Sequence, residues 1–303
     1  MSPEADGALP PADLPLHLAR LSGLSWHGFT FNLPPGWEVT GYSLKPTQGR
    51  FQFHDGPRMR GELSWRTVDG TPDLPRIFTE VLRRYLELEA PEVAPGFGTA
   101  ICGKCGEWML AWNRPGDPLL AGLWKHDERI LLQWFFSSHS PQLLPTISTL
   151  LESYRKNEAQ PRRWQLFGMG ASLPGDFSCS DVEALPAFAL LRFENPRNLQ
   201  VVLRRIGMVE ETLGGQSLGH YYRKLLARTQ ARLLSLEDAT FQGHPALHAT
   251  FERRGEARMD ALTGRWWQGE AYIWQDDAEG RIYSCDQWGP NKQPRLELDH
   301  VWL

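Results

Sequence analysis

The feature that most constrains this chain is that it repeats itself at a spacing of about 140 residues. Leu33-Pro34, inside GFTFNLPPGWEV, returns as Leu173-Pro174 inside GMGASLPGDFSC. At the same offset Gly28 meets Gly168, Phe53 meets Phe193, Leu63 meets Leu203 and Gly103 meets Gly243. A repeat of this length is a duplicated domain, because solenoid units recur every few tens of residues. The chain has 303 residues, so each copy is of ordinary domain size and can bury its own core.

The same order of elements is expected in each copy. In the first, Phe29, Phe31 and Leu33 alternate with smaller or polar residues, the period of a half-buried strand, and Pro34-Pro35-Gly36 ends it. Phe51 to Phe53 and Met59 to Trp65 read as two strands around the turn His54-Asp55-Gly56-Pro57. Asp73 then caps a helix whose Ile77, Val81, Tyr85 and Leu88 share one face. Trp108–Trp112, Leu119–Trp124 and Ile130–Phe136 are apolar runs of strand length, and Ser140-Pro141 opens a second helix carrying Leu143, Ile147, Leu150 and Tyr154.

In the second copy Trp164–Leu173 is a strand, and Leu190–Phe193 with Leu199–Ile206 forms a hairpin. Ser217 caps a helix with Leu218, Tyr222, Leu225, Thr229 and Leu233 on its inward face. Ala246–Phe251, Trp266–Trp274 and Ile282–Trp288 are the later strands. The spacing slips from 140 to about 152 there, with Ile282 matched to Ile130 and Arg253–Arg265 as the insertion. Only a short tail follows Trp288, so the second copy is expected to lack a full closing helix.

Strands in blocks with single helices between them predict an α+β class: two tandem α/β sandwich domains, each a mainly antiparallel sheet with helices packed on one face. The expected boundaries are a lead-in at 1–22, a first domain at 23–156, a polar linker at 157–163 and a second domain at 164–303.

Charge narrows the partners. The net charge is −4, and neither half is basic, so a nucleic-acid backbone finds no general attraction. The N-terminal residues carry early acids and prolines rather than the basic and apolar regions of a signal peptide, and no run of 18 apolar residues spans a membrane. Four cysteines make no disulfide framework in a chain this long. The expectation is a cytoplasmic protein with reduced thiols.

A strand ending in Leu33-Pro34-Pro35-Gly36-Trp37, a hairpin, one amphipathic helix, then a glycine-marked entry to three strands and a closing helix resembles the PsbP-like α/β sandwich. That fold is shared by the photosystem extrinsic proteins, a Ran-binding nuclear-import factor and bacterial DcrB-like domains. The resemblance covers residues 24–155 and 164–290. Its second-copy counterparts are Leu173-Pro174-Gly175 and Phe241-Gln242-Gly243-His244-Pro245-Ala246. The resemblance implies a non-enzymatic protein-binding module.

Local motifs add little chemistry. Cys102-Gly103-Lys104-Cys105-Gly106 has the shape of a metal knuckle, but a structural site needs four ligands. Cys179, Cys285 and His126 are the only evident partners, and the matching turn of the second copy has no cysteine. The reading is a glycine-rich hairpin, with no metal and no cofactor assigned. His220, His244 and His248, near Arg253 and Arg254, offer a general base but have no nucleophile elbow beside them. They are read as surface or turn residues, and no catalytic residue is assigned.

Gly214-Gly215-Gln216-Ser217 precedes a helix and is read as a loop with a cap, not a phosphate cradle. Arg223, Lys224, Arg228 and Arg232 are read as a solvated helix side. Of the 13 tryptophans, Trp108 and Trp112 share a strand face, Trp124 and Trp134 sit on neighbouring strands, and Trp266-Trp267 point to opposite faces. Core filling is the main reading, and an aromatic binding surface between the copies is the other.

The function expected from all this is a protein-binding or chaperone-like module whose partner is another protein, with its binding residues and oligomeric state unassigned. The alternative is a small-molecule binding protein or hydrolase with a pocket between the two domains. A third option is a dimer tethered by metal at Cys102 and Cys105.

Overall fold

The computed structural model describes residues 23–45, 47–85, 96–102, 106–112, 117–138, 142–157, 160–185, 187–254, 266–290, 296 and 301–302. The fold is sheet-rich α+β with antiparallel pairing in its ladders. By its contacts the chain divides into two units, Met1–Asn157 and Glu158–Leu303.

The first unit opens with a hairpin, β1 (Gly23–Trp26) and β2 (Phe29–Asn32). The turn residues His27 and Gly28 both have positive φ, 41° and 83°, the backbone that matches the twist of a two-residue hairpin. A seven-stranded sheet follows, built from β3 (Trp37–Lys45), β4 (Gln48–Asp55), β5 (Arg58–Thr67), β6 (Gly96–Cys102), β7 (Gly106–Trp112), β8 (Leu119–Lys125) and β9 (Ile130–Phe136). Its order is β3-β4-β5-β9-β8-β7-β6. Helix α1 (Leu74–Tyr85) joins β5 to β6, and α2 (Leu144–Glu152) follows β9. The short β10 (Arg155–Lys156) then pairs with β2.

Strand alternation gives this sheet two apolar faces. One carries Phe51, Phe53, Leu63, Trp65, Trp108 and Trp134, and the β1–β2 hairpin packs there through Trp26, Phe29 and Phe31. The Tyr154 ring, just beyond α2, lies 5.5 Å from Phe31 and 6.0 Å from Trp108. The opposite face carries Ala111, Leu120, Met109 and Phe135, and α1 covers these with Phe78 and Leu82. The two helices therefore sit on opposite faces, which corrects the expectation of helices on one face. Trp134 and Phe135 are neighbours on one strand and both apolar, so each face needed its own cover.

The second unit repeats the plan. β11 (Arg162–Leu166) and β12 (Met169–Leu173) form the hairpin, with Phe167 and Gly168 at positive φ, 54° and 73°. The sheet comprises β13 (Ser178–Leu185), β14 (Phe188–Glu194), β15 (Gln200–Ile206), β16 (Ala231–Phe241), β17 (His244–Arg254), β18 (Trp266–Asp276) and β19 (Arg281–Gly289). Its order, β13-β14-β15-β19-β18-β17-β16, is that of the first sheet. Helices α3 (Val209–Leu213) and α4 (Leu218–Arg228) lie between β15 and β16. β20 (Val301–Trp302) pairs with β12 as β10 does with β2. Among the described residues no helix lies between β19 and β20.

Fine detail repeats as well. Phe51 pairs with Leu63, and Leu191 with Leu203. The first strand of each sheet has a bulge at the same place, between Val39 and Gly41 and between Cys179 and Asp181. Trp37 N–H donates to the Pro34 carbonyl at 3.1 Å, and Phe177 N–H to the Pro174 carbonyl at 3.0 Å. In the last strands the partner of Arg66 is Leu131 and that of Ile206 is Ile282. Leu131, one residue beyond the expected Ile130, thus occupies the place of Ile282.

Two glycines of the first unit are required for different reasons. A Cβ on Gly122 would lie 2.4 Å from the Phe78 ring, beneath α1, whereas Gly28 has open space but a φ of +83°. Gly122→Ala is expected to cost about 1–3 kcal/mol by overpacking, and Gly28→Ala about 1–2 kcal/mol by backbone strain. Urea unfolding measures both. Adding Phe78→Leu relieves the first substitution and leaves the second unchanged.

Candidate functional site

Laying the units over one another by strand pairing and helix cap isolates one place where they differ. Asp73 accepts the Arg76 N–H at 3.1 Å to cap α1, and Ser217 accepts the His220 N–H at 3.3 Å to cap α4. Five residues after each cap comes a fully buried ring, Phe78 in one unit and Tyr222 in the other. On β5 and β15 the residues after Leu63 and Leu203 are Ser64 and Arg204, paired with Gln133 and Ser284. Phe135 stands where the second unit has Asp286, since their partners are Glu62 and Val202. Ser64, Gln133, Phe135 and Phe78 of the first unit thus answer to Arg204, Ser284, Asp286 and Tyr222 of the second.

In the second unit these four close on one another. Arg204 Nη1 is 2.7 Å from Asp286 Oδ2 and donates to Ser284 Oγ at 3.2 Å. The Tyr222 hydroxyl donates to the same Asp286 oxygen at 3.2 Å. Both charged side chains are nearly excluded from solvent, at 6% and 3% exposure. Burial opposes the Arg204 charge, but the Asp286 carboxylate outweighs it and holds the guanidinium more firmly protonated than usual. Burial, reinforced by Asp286, pushes the Tyr222 hydroxyl well above its ordinary range, and the neighbouring Cys285 thiol moves the same way for the same reasons. Asp286 Oδ1 has no hydrogen-bond partner among the described residues. Arg204 and Asp286 both stand on the sheet, and the Tyr222 hydroxyl ties α4 to them.

In the first unit the equivalent place is a cavity of about 240 Å³ between α1 and strands β5, β8 and β9. Glu62, Ser64, Gln133 and Arg84 supply its polar lining, and Val81, Leu120 and Phe135 its apolar wall. Gln52 Nε2 donates to Glu62 Oε2 at 3.1 Å, and Arg50 is 3.8 Å from that oxygen. Ser64, much smaller than its counterpart Arg204, leaves space that the Arg204 arm occupies in the other unit.

The residues singled out in the sequence lie elsewhere. Residues 103–105, and the side chain of Cys102, fall outside what the structure describes, so the Cys102–Cys105 knuckle does too. Cys179 and Cys285 are free thiols, and Cys179 is pushed up to about 12 by burial. The histidines are not brought together. His220 is exposed on α4, whereas His248 projects from the other face of β17, 3.7 Å from Glu270, its ring 4.8 Å from that of Tyr272. His244 stacks on Trp274 at 6.1 Å. Ser217 is the cap that was expected, and Leu233 belongs to β16 because α4 ends at Arg228. Trp108, Trp134 and Trp267 fill cores, Trp112 and Trp124 are half-buried, and Trp266 is exposed.

No family model and no curated protein matches the chain. Among solved structures it is similar to the apo form of the T6SS immunity protein TplEi from Pseudomonas aeruginosa. The TM-score is 0.34 at 10% identity, covering 93% of this chain and 96% of that one. The same protein complexed with "L" peptide gives 0.34 at 12% identity, covering 93% and 98%. A Pseudomonas aeruginosa protein of unknown function gives 0.24 at 14% identity, covering 43% of this chain and 82% of that one. These likenesses place the chain in no family.

Arg204→Met is expected to lower the unfolding free energy by about 3–5 kcal/mol, because it strands the Asp286 charge. Arg204→Met combined with Asp286→Leu recovers most of the loss in the same urea titration. A second expectation concerns pH. The folded chain keeps the Tyr222 and Cys285 protons that the unfolded chain releases, so stability is full below roughly pH 8.5, where a free thiol begins to ionise, and falls as pH rises. Tyr222→Phe flattens that slope above about pH 10, the ordinary range of a phenol.

Proposed function

We propose that the chain is a non-catalytic, protein-binding or chaperone-like module made of two tandem PsbP-like sandwich domains. Its partner is another protein and its compartment the cytoplasm. The tandem reading is supported by the shared strand order, the matching bulges and the paired positive-φ turns. The free thiols of Cys179 and Cys285 suit a reducing compartment. Among the described residues no helix is long and apolar enough to cross a membrane.

The observation that carries the binding reading is an apolar pair at one end of the second unit's sheet. Leu185 ends β13 at 60% exposure and Met208 follows β15 at 59%. Their turns are tied by the Gly207 N–H donating to the Ala187 carbonyl at 2.8 Å. Met208 is held at a φ of 51°, a backbone that a long side chain adopts at a cost. Apolar side chains kept in solvent on a strained, hydrogen-bonded corner are what a docking surface requires.

Leu185→Lys with Met208→Asn removes the apolar surface and relaxes the backbone, since asparagine tolerates that φ. In affinity capture from an extract of its own cells, a partner recovered with the natural chain should fall at least tenfold with this variant, at a melting temperature no lower than that of the natural chain. Equal recovery of the same proteins by both would overturn the assignment of this surface.

A further inference from the structure

We propose that the cavity of the first unit is a binding site for a small zwitterion, an amino acid or a molecule of the same charge pattern. The argument rests on the two charges that line it. Glu62 and Arg84 both border the cavity but do not pair with each other. Among the described residues Arg84 has no ion pair, and Glu62 Oε1 accepts no hydrogen bond. Opposite charges in the lining of one cavity fit a ligand that carries both signs: its carboxylate meets the Arg84 guanidinium and its ammonium meets Glu62.

The neutral groups agree with this. The Ser64 hydroxyl and the Gln133 side-chain amide border the same space and make no side-chain hydrogen bond with any described residue. Each is half-buried in the strands beneath α1. Both groups border the cavity, where a ligand's polar atoms can bond to them. Val81, Leu120 and Phe135 form an apolar wall for the ligand's side chain. The volume of about 240 Å³ is below the range of about 300–1,000 Å³ that holds drug-sized molecules. That sets the size of the ligand.

The second unit indicates that this is not merely loose packing. There the same position is closed by the Arg204–Asp286 pair with Ser284 and Tyr222. One copy satisfies the space under its helix with its own two charges, and the other leaves it open between an acid and a base. The site is independent of the Leu185–Met208 surface, which lies in the other unit.

Isothermal titration calorimetry of the full chain tests the proposal, with each of the common amino acids at millimolar concentration as the probe. At least one is expected to bind, and its N-acetyl and carboxamide derivatives, each lacking one charge, should bind at least tenfold more weakly. Glu62→Gln and Arg84→Gln are each expected to weaken binding of the parent amino acid at least tenfold. Arg84 is exposed, and Glu62→Gln keeps a side-chain oxygen to accept from Gln52, so the melting temperature should hold. Absence of heat with every amino acid would overturn the proposal. So would equal binding of the singly charged derivatives, or full affinity retained by both variants.

Discussion

Each sheet of this protein is apolar on both sides, and everything else follows from covering both. Strand alternation puts Trp134 on one face of β9 and Phe135 on the other, and the buried Val201 and Val202 divide in the same way on β15. A single layer of helices would leave one face in water. The first unit meets this with a hairpin on one side and a helix on the other, so its sheet is the middle of three layers. The hairpin's turn, at His27-Gly28 and again at Phe167-Gly168, needs left-handed backbone at both positions, and both units supply it.

Within that shared plan the two units differ where change is most consequential. Surface positions vary at little cost, but the residues between α1 or α4 and the sheet decide how the helix is held. In the second unit a buried ion pair, a hydroxyl and a phenol fill the interval. Such a pair gives little net stability while making loss of one partner expensive, so it specifies a position for α4 more than it strengthens it. In the first unit Phe78 and Phe135 provide apolar contact beside an open, polar-lined space. Four differences between helix and sheet thus give two units of one strand plan different interiors.

Much of this was legible from residue patterns. The repeat, its offset through β5 and β15, the helix caps at Asp73 and Ser217, and the inward face of α4 through Tyr222 all follow from spacing. The edge strands β3 and β13 were missed because their bulges interrupt alternation, and SCSDVEAL is mostly polar. Leu233 continues the apolar stripe of Leu225 and Thr229, so spacing alone extends the helix into the start of β16. The chain instead leaves the helix at Gln230, whose φ of 57° takes the left-handed role that glycine usually marks. The Arg204–Asp286 pair had one visible sign, charged residues inside apolar strand runs, and the 140-residue offset sets Arg204 against Ser64. That Asp286 faces Arg204 could not be read, because their strands are far apart in the chain and pairing register is a tertiary property.

The central claim is that both halves keep one scaffold down to its strand register. Native-state hydrogen exchange of the whole chain, resolved by residue, tests it most directly. The account predicts the slowest amides in the central pairs β5–β9 and β15–β19, fast exchange at β3, β6, β13 and β16, and profiles that superpose when one half is shifted onto the other. Protection concentrated in the edge strands, or two profiles with no such correspondence, would contradict it.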